Sequence, residues 1–195
     1  MKHLITEFKK YKNDTILLEE FPNIRQDFGY DCGPTCMQMI LVYYGIELRL
    51  DKLILKIPNS KEIKKCGTPP EDVVKTFKLF NIKAEIKENQ TEDDIKKYLD
   101  KGKPVMLVLQ AYSDKENPNY KKDWKDGHYV VSIGYNNEHF IFADPSSFEK
   151  TYLTYEELKG RWHDVSKNEE KYINTMIVIH GGNEKFDPKK IKHME

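Results

Sequence analysis

The sequence predicts an α+β protein, a helical first half packed on an antiparallel, strand-rich second half. Three observations lead there. The run from Cys32 to Gly45 is apolar on almost every side, as in a helix buried inside a protein rather than laid on its surface. Three segments open with Thr and carry Glu or Asp three residues later, the pattern by which a helix start satisfies its own free N–H groups. Beyond Pro104 the apolar residues come as short runs bounded by turn residues, the mark of strands.

Taken in order, Thr15 to Glu19 reads as a short strand, stopped by Phe21-Pro22-Asn23. In the Cys32–Gly45 helix, Pro34 suits the first helical position, where its missing N–H costs nothing, and Gly45 suits the C-terminal cap. Asp51 to Ile57 forms a further short helix. Thr68-Pro69-Pro70-Glu71 opens a helix whose inner face carries Val73, Val74, Phe77 and Phe80. Thr91-Glu92-Asp93-Asp94 opens another, with Ile95, Tyr98 and Leu99 inward and Gly102 as its stop. Val105 to Leu109 is a continuous apolar run and reads as a buried strand. His128–Tyr135 and His139–Ala143 are strands joined by Asn136-Asn137-Glu138. Thr154-Tyr155-Glu156-Glu157 opens a short helix carrying Leu158 and Trp162, and Asn174–Ile179 is the last strand. Residues 1–12 form a lead-in and residues 183–195 a charged, loose tail. No repeat or linker divides the chain, so residues 1–195 read as one domain.

The 195 residues suffice for a real core. The 32 basic and 32 acidic residues cancel, which argues against a nucleic-acid partner; local pairs such as Lys64-Lys65 and Lys121-Lys122 read as solvated surface. No stretch approaches the ~20 apolar residues of a membrane span. The segment from Met1 to Glu7 has no apolar run for a signal peptide, so a cytoplasmic location is expected. The three cysteines, Cys32, Cys36 and Cys66, are an odd set with no secretory signal, which argues against a disulfide framework. Cys32 and Cys36 stand four apart without a second ligand pair, so neither metal nor cofactor is expected.

Cys32 is set apart by its place at the N-terminal end of the buried helix. A cysteine attacks as thiolate, and the partial positive charge of a helix start favours that form. Gly33 leaves room beside the sulfur for a substrate backbone. Cys36, a turn further in, reads as a small buried hydrophobe, and Cys66, after Lys64-Lys65, as a loop residue. Gln26 lies six residues before Cys32 in a polar, irregular stretch; its amide and the Cys32 N–H can hold a developing oxyanion.

Of six histidines, His3 and His193 are near the termini, His139 is at a hairpin edge, His163 in a charged loop and His180 at the end of the last strand. His128 follows Asp126-Gly127, where glycine permits close approach, and starts a strand whose alternation sets His128, Val130, Ser132 and Gly134 against Tyr129, Val131, Ile133 and Tyr135. Asp144 ends the partner strand before Pro145, where a carboxylate can fix the tautomer of an imidazole.

Read together, Gln26-Asp27-Phe28-Gly29-Tyr30-Asp31-Cys32-Gly33-Pro34-Thr35-Cys36, followed by Tyr43-Tyr44-Gly45, resembles the family C39 peptidases of the papain-like clan. Gly127-His128-Tyr129-Val130-Val131-Ser132-Ile133-Gly134-Tyr135 and Ala143-Asp144-Pro145 are similar to that family's histidine and aspartate motifs. The resemblance runs from about Gln26 to Pro145. It implies a papain-like α+β fold and a cysteine peptidase acting on a peptide or protein substrate. Cys32 would be nucleophile, His128 base and acid, Asp144 the orienting residue and Gln26 the oxyanion donor, with Gly33 and Gly127 beside the substrate. An acyltransferase or amidase using the same triad, and a catalytically idle binding module, are the alternatives. Many C39 domains precede a transporter and cut leader peptides after two glycines. This sequence contains no transporter segment, so that substrate is not carried over, and Gly181-Gly182 reads as a loop. The stretch from Ser113 to Lys125, with Pro118, Tyr120 and Trp124, is expected as a surface excursion rather than a substrate-side loop.

Overall fold

The computed structural model describes residues 14–181. The lead-in and the charged tail expected from the sequence lie outside the described residues. Strand β1 (Ile16–Leu17) is followed by α1 (Cys32–Tyr43), α2 (Leu50–Ile54), a short 3₁₀ turn (Ser60–Glu62), α3 (Ile63–Cys66) and α4 (Pro70–Leu79). Then come β2 (Lys83–Lys87), α5 (Glu92–Leu99), β3 (Val105–Gln110), β4 (Gly127–Tyr135), β5 (His139–Ala143), β6 (Thr151–Thr154), α6 (Tyr155–Arg161), β7 (His163–Val165), β8 (Lys171–Ile173) and β9 (Met176–Gly181). The main sheet runs β2-β9-β3-β4-β5-β6, with β1 also on β4, and every pairing is antiparallel. β7 and β8 form a separate ribbon.

The expected α+β arrangement is present, with helices on both faces of the sheet. On one face α1 and α4 bury Cys36, Met37, Ile40, Leu41, Val73 and Phe77 against Tyr129, Val131, Ile133 and Ile177. On the other, α5 and α6 bury Ile95, Leu99 and Leu158 with Trp162 against Leu107, Val130, Phe140 and Val178. Helix α1 is enclosed as its composition requires: ten of its twelve residues are buried. Gly45 stops it at φ 76°, a conformation open to glycine; Gly45 N–H donates to Val42 O and Ile46 N–H to Leu41 O.

Several local expectations are corrected. Helix α1 begins at Cys32 itself, so Pro34 is its third residue, still within the first turn where no N–H is needed. Thr91 and Thr154 do cap α5 and α6 in reciprocal capping boxes. Thr68 does not: α4 starts at Pro70 after Pro69, and the Thr68 hydroxyl is turned inward against Gly33. Cys66 ends helix α3 rather than lying in a loop, and His163 is a buried residue of β7. A bulge between Ser132 and Gly134 breaks the β4 alternation. Ile133 stays on the α1 face while Tyr135 packs on the other. Gly181 closes β9 instead of opening a loop; Gly182 is beyond the described residues. No helix among the described residues is long and apolar enough to cross a membrane.

Candidate active site

The start of helix α1 is pinned to the start of strand β4. One turn in from Cys32, the wholly buried Cys36 thiol donates to the Tyr129 carbonyl at 3.4 Å, next to His128. The Tyr129 hydroxyl donates to the Thr68 carbonyl at 2.9 Å, and Gly33 fits between them; a methyl group on Gly33 would lie 3.0 Å from Thr68 and 3.3 Å from the Tyr129 ring. The space beside Gly33 is thus filled by the protein's own side chains. These contacts set Cys32 and His128 together at the mouth of one cleft.

The two groups change each other's proton affinity. Burial alone would push the Cys32 thiol up. A hydrogen bond from His128, its positive charge, and the backbone N–H groups of Tyr129 and Gly33 outweigh that, and the thiol lies below its ordinary value. Burial likewise disfavours a charged His128, yet hydrogen bonds to Asp144 and Cys32 and the charges of both hold its pKa at about 9. Each group thus favours the charged form of the other, thiolate on Cys32 and imidazolium on His128. Cys36 behaves oppositely: burial, with Cys32 and Asp144 nearby, pushes it well up and leaves it inert. All three cysteines are free.

Asp144 follows β5 and is itself buried. His128 Nε2 meets Asp144 Oδ1 at 2.9 Å, so Nδ1 is the ring nitrogen left for the thiol. The same oxygen accepts from Ser146 N–H at 2.9 Å, while Oδ2 accepts from the Tyr112 hydroxyl at 2.5 Å and the Thr151 hydroxyl at 3.2 Å. Burial opposes the charge on Asp144, but His128, Tyr112 and Ser146 together keep its carboxyl below the ordinary range. The Tyr112 ring also stands edge-on to the His128 ring, with centroids 5.2 Å apart. Tyr112 is 56% exposed and holds a left-handed backbone at φ 59°, rare for an aromatic residue. Sequence reasoning missed it because nothing local marks a tyrosine for that conformation; the only signal was its place just past the strand that pairs with His128.

Gln26 sits on the Asp144 side of the site. Its backbone N–H donates to the Pro145 carbonyl at 2.8 Å and its amide oxygen accepts from Ser146 Oγ at 3.4 Å. The amide nitrogen donates to the Phe28 carbonyl at 2.7 Å, and no hydrogen bond joins Gln26 to Cys32. The structure thus brings Cys32, His128 and Asp144 together and leaves Gln26 beside them.

The cleft has a volume of about 510 Å³. It is lined by Gly29, Tyr30 and the segment from Ile63 to Glu71, together with Trp124, Lys125, Gly127, Asp164 and Tyr172. The end of the Ser113–Lys125 stretch therefore faces the cleft, contrary to the surface excursion expected of it. Gly127 permits a close approach: a methyl group there would lie 2.5 Å from an Asp164 carboxylate oxygen.

Comparison with known proteins gives the family and the fold. The model of the Peptidase_C39 like family matches residues 18–170. A curated relative, the SPbeta prophage-derived sublancin-168-processing and transport ATP-binding protein SunT of Bacillus subtilis, is 22% identical over 147 residues, 74% of this chain but 18% of its own length. Among solved structures, one described as a C39-like peptidase from Bacillus anthracis superposes with a TM-score of 0.66 at 17% identity, over 88% of this chain and all of the other. The peptidase domain of Streptococcus ComA gives 0.59 at 17% identity, covering 84% of this chain and 100% of that domain. A double glycine motif protease from an AMS/PCAT transporter, solved with its leader peptide, gives 0.56 at 16% identity over 83% of this chain and 91% of the other. The helix-on-sheet arrangement is the papain-like fold of C39 peptidase domains. With the family's model covering most of its length, the chain belongs to the Peptidase_C39 like family.

Proposed function

We propose that the chain is a cysteine peptidase that cleaves a peptide or isopeptide bond through Cys32, His128 and Asp144. The observation that carries the reading is the buried relay in which Asp144 occupies His128 Nε2 and leaves Nδ1 to the Cys32 thiol. Family membership supports it, as does the neighbouring protease solved with its leader peptide. The Cys32 thiolate adds to the scissile carbonyl carbon. The oxygen gains the charge and is held by the free Cys32 N–H at the start of α1 and by the second N–H of the Gln26 amide. Imidazolium Nδ1 gives its proton to the leaving nitrogen as the C–N bond breaks, leaving a thioester on Cys32. Neutral Nδ1 then takes a proton from water, whose oxygen adds to the thioester carbon. The C–S bond breaks, the acid product leaves, and thiolate and imidazolium return.

The test is digestion of peptide and isopeptide libraries read by mass spectrometry. Cleavage is expected from the wild type and not from Cys32→Ala. A wild type that cuts nothing, although iodoacetamide labels Cys32 ahead of Cys36 and Cys66, would defeat the peptidase reading.

Tyr112 acts in this scheme as a positioning residue for Asp144. Tyr112→Phe keeps the ring beside His128 and removes one of four donors to the carboxylate. Because hydrogen bonds to charged groups are the strong ones, kcat is expected to fall about tenfold. KM stays near that of the wild type, since the hydroxyl meets Asp144 and not the cleft wall. A KM effect alone would assign Tyr112 to substrate binding instead.

A further inference from the structure

We propose that Asp164 forms a cation subsite in the cleft, selecting a basic side chain or free amine of the substrate close to the bond that Cys32 attacks. The inference rests on the peptidase reading. Asp164 lies in β7, outside the catalytic relay, yet lines the same cleft as Cys32 and His128. Its carboxylate abuts Gly127, the residue before His128, with no side chain between them: a methyl on Gly127 would come within 2.5 Å of one oxygen and 2.7 Å of the other.

The carboxylate is held rather than free to swing. Gln110, which has no exposed surface, donates through Nε2 to Asp164 Oδ1 at 2.9 Å and to the His163 carbonyl at 3.1 Å. Its Oε1 accepts from Asp126 N–H at 2.9 Å, so one buried amide ties Asp164 to the segment that leads into His128. Oδ1 is thereby occupied, and no hydrogen bond from a side chain reaches Oδ2. Among the described residues no ion pair includes Asp164. Burial pushes its carboxyl above the ordinary value, the backbone N–H of Val165, the Gln110 amide and the charge of neighbouring His163 offsetting only part.

A half-buried carboxylate that no ion pair balances is costly to the free protein, and the protein has nonetheless built a bracket to keep it in the cleft. Lys64, Lys65, Lys125 and Lys167 also line the cleft, but all four are exposed and screened by water; Glu71 and Glu170 are exposed likewise. Lys171 is drawn instead over the Trp124 ring, at 5.0 Å. A lysine or arginine side chain, or a free α-amine, supplies the missing charge and donates to Oδ2. A peptide N–H supplies a donor only.

The test compares wild type and Asp164→Asn on a peptide library, with cleavage positions read by mass spectrometry. Asparagine keeps the oxygen that Gln110 holds and removes the charge. Arginine and lysine are expected to be enriched about tenfold at one position within roughly two residues of the wild-type cut. That enrichment is expected to vanish in Asp164→Asn. Acetylating the library's N-termini separates the two sources: cuts directed by an α-amine are lost, and cuts directed by a side chain persist. A wild type that cleaves without basic preference overturns the subsite, as does an Asp164→Asn protein that keeps the preference. Should Asp164→Asn fail to fold, the wild-type profile still decides, since a lack of basic enrichment is enough to refute it. Absence of any Cys32-dependent cleavage instead refutes the peptidase reading on which the subsite rests.

Discussion

Cys32→Ala is expected to lower turnover by roughly 10⁴-fold or more, the scale on which removing the nucleophile of a cooperative catalytic unit acts. The fold is expected to survive. Alanine keeps the Cβ, favours the helix, and leaves untouched the Cys36–Tyr129 contact that seats α1 on β4. A change of about 1 kcal/mol would move the melting temperature by only some 2–4 °C in a chain of this size. The check is steady-state peptide hydrolysis beside a thermal melt. Residual turnover within a hundredfold of wild type, with the melt unchanged, would remove Cys32 from the mechanism.

The second large effect is expected from His128→Gln, and it reads the charge state directly. In the wild type, Cys32 lies below its ordinary pKa and His128 at about 9. The reactive state needs the thiol deprotonated and the imidazole protonated. kcat/KM is therefore expected to rise as pH passes the lowered Cys32 value and to fall as pH passes about 9. Glutamine preserves hydrogen bonding but carries no charge. Burial, the largest influence on Cys32, is then opposed only by the Tyr129 and Gly33 N–H groups, and the thiol moves up. Iodoacetamide labelling of Cys32 at neutral pH is expected to slow by about 100-fold, since a buried thiol without a charged partner holds its proton far more tightly. An unchanged labelling rate and pH profile in His128→Gln would show that the helix start alone activates the thiol.

Much of this site was legible because its chemistry lies in short contiguous blocks. Cys32 was marked by the helix it opens, His128 by the glycine and strand around it, and Asp144 by its place at the end of the partner strand. The residues that shape the site were less legible, since they act across the chain. Thr68 looked like a helix cap, but Pro69 and Pro70 start α4 without it, and its side chain packs on Gly33, 35 residues away in sequence. Gln110 closes an apolar strand and gave no hint of bridging to Asp164. Strand β2, Lys83-Ala84-Glu85-Ile86-Lys87, was invisible because an edge strand need bury little, and its charges pair locally, as Lys87 does with Glu85 at 3.1 Å. His163 read as a loop residue because Trp124, which packs on it at 4.4 Å between centroids, comes from a separate stretch of chain.

The bond between Cys36 and the Tyr129 carbonyl has a wider meaning. Nucleophile and base belong to different layers of the molecule, and this buried thiol is a rivet across the seam. Reaction geometry is therefore only as durable as the seam. A slip of helix on sheet too small to erase either element would part sulfur from imidazole, so the chemistry is lost before the architecture.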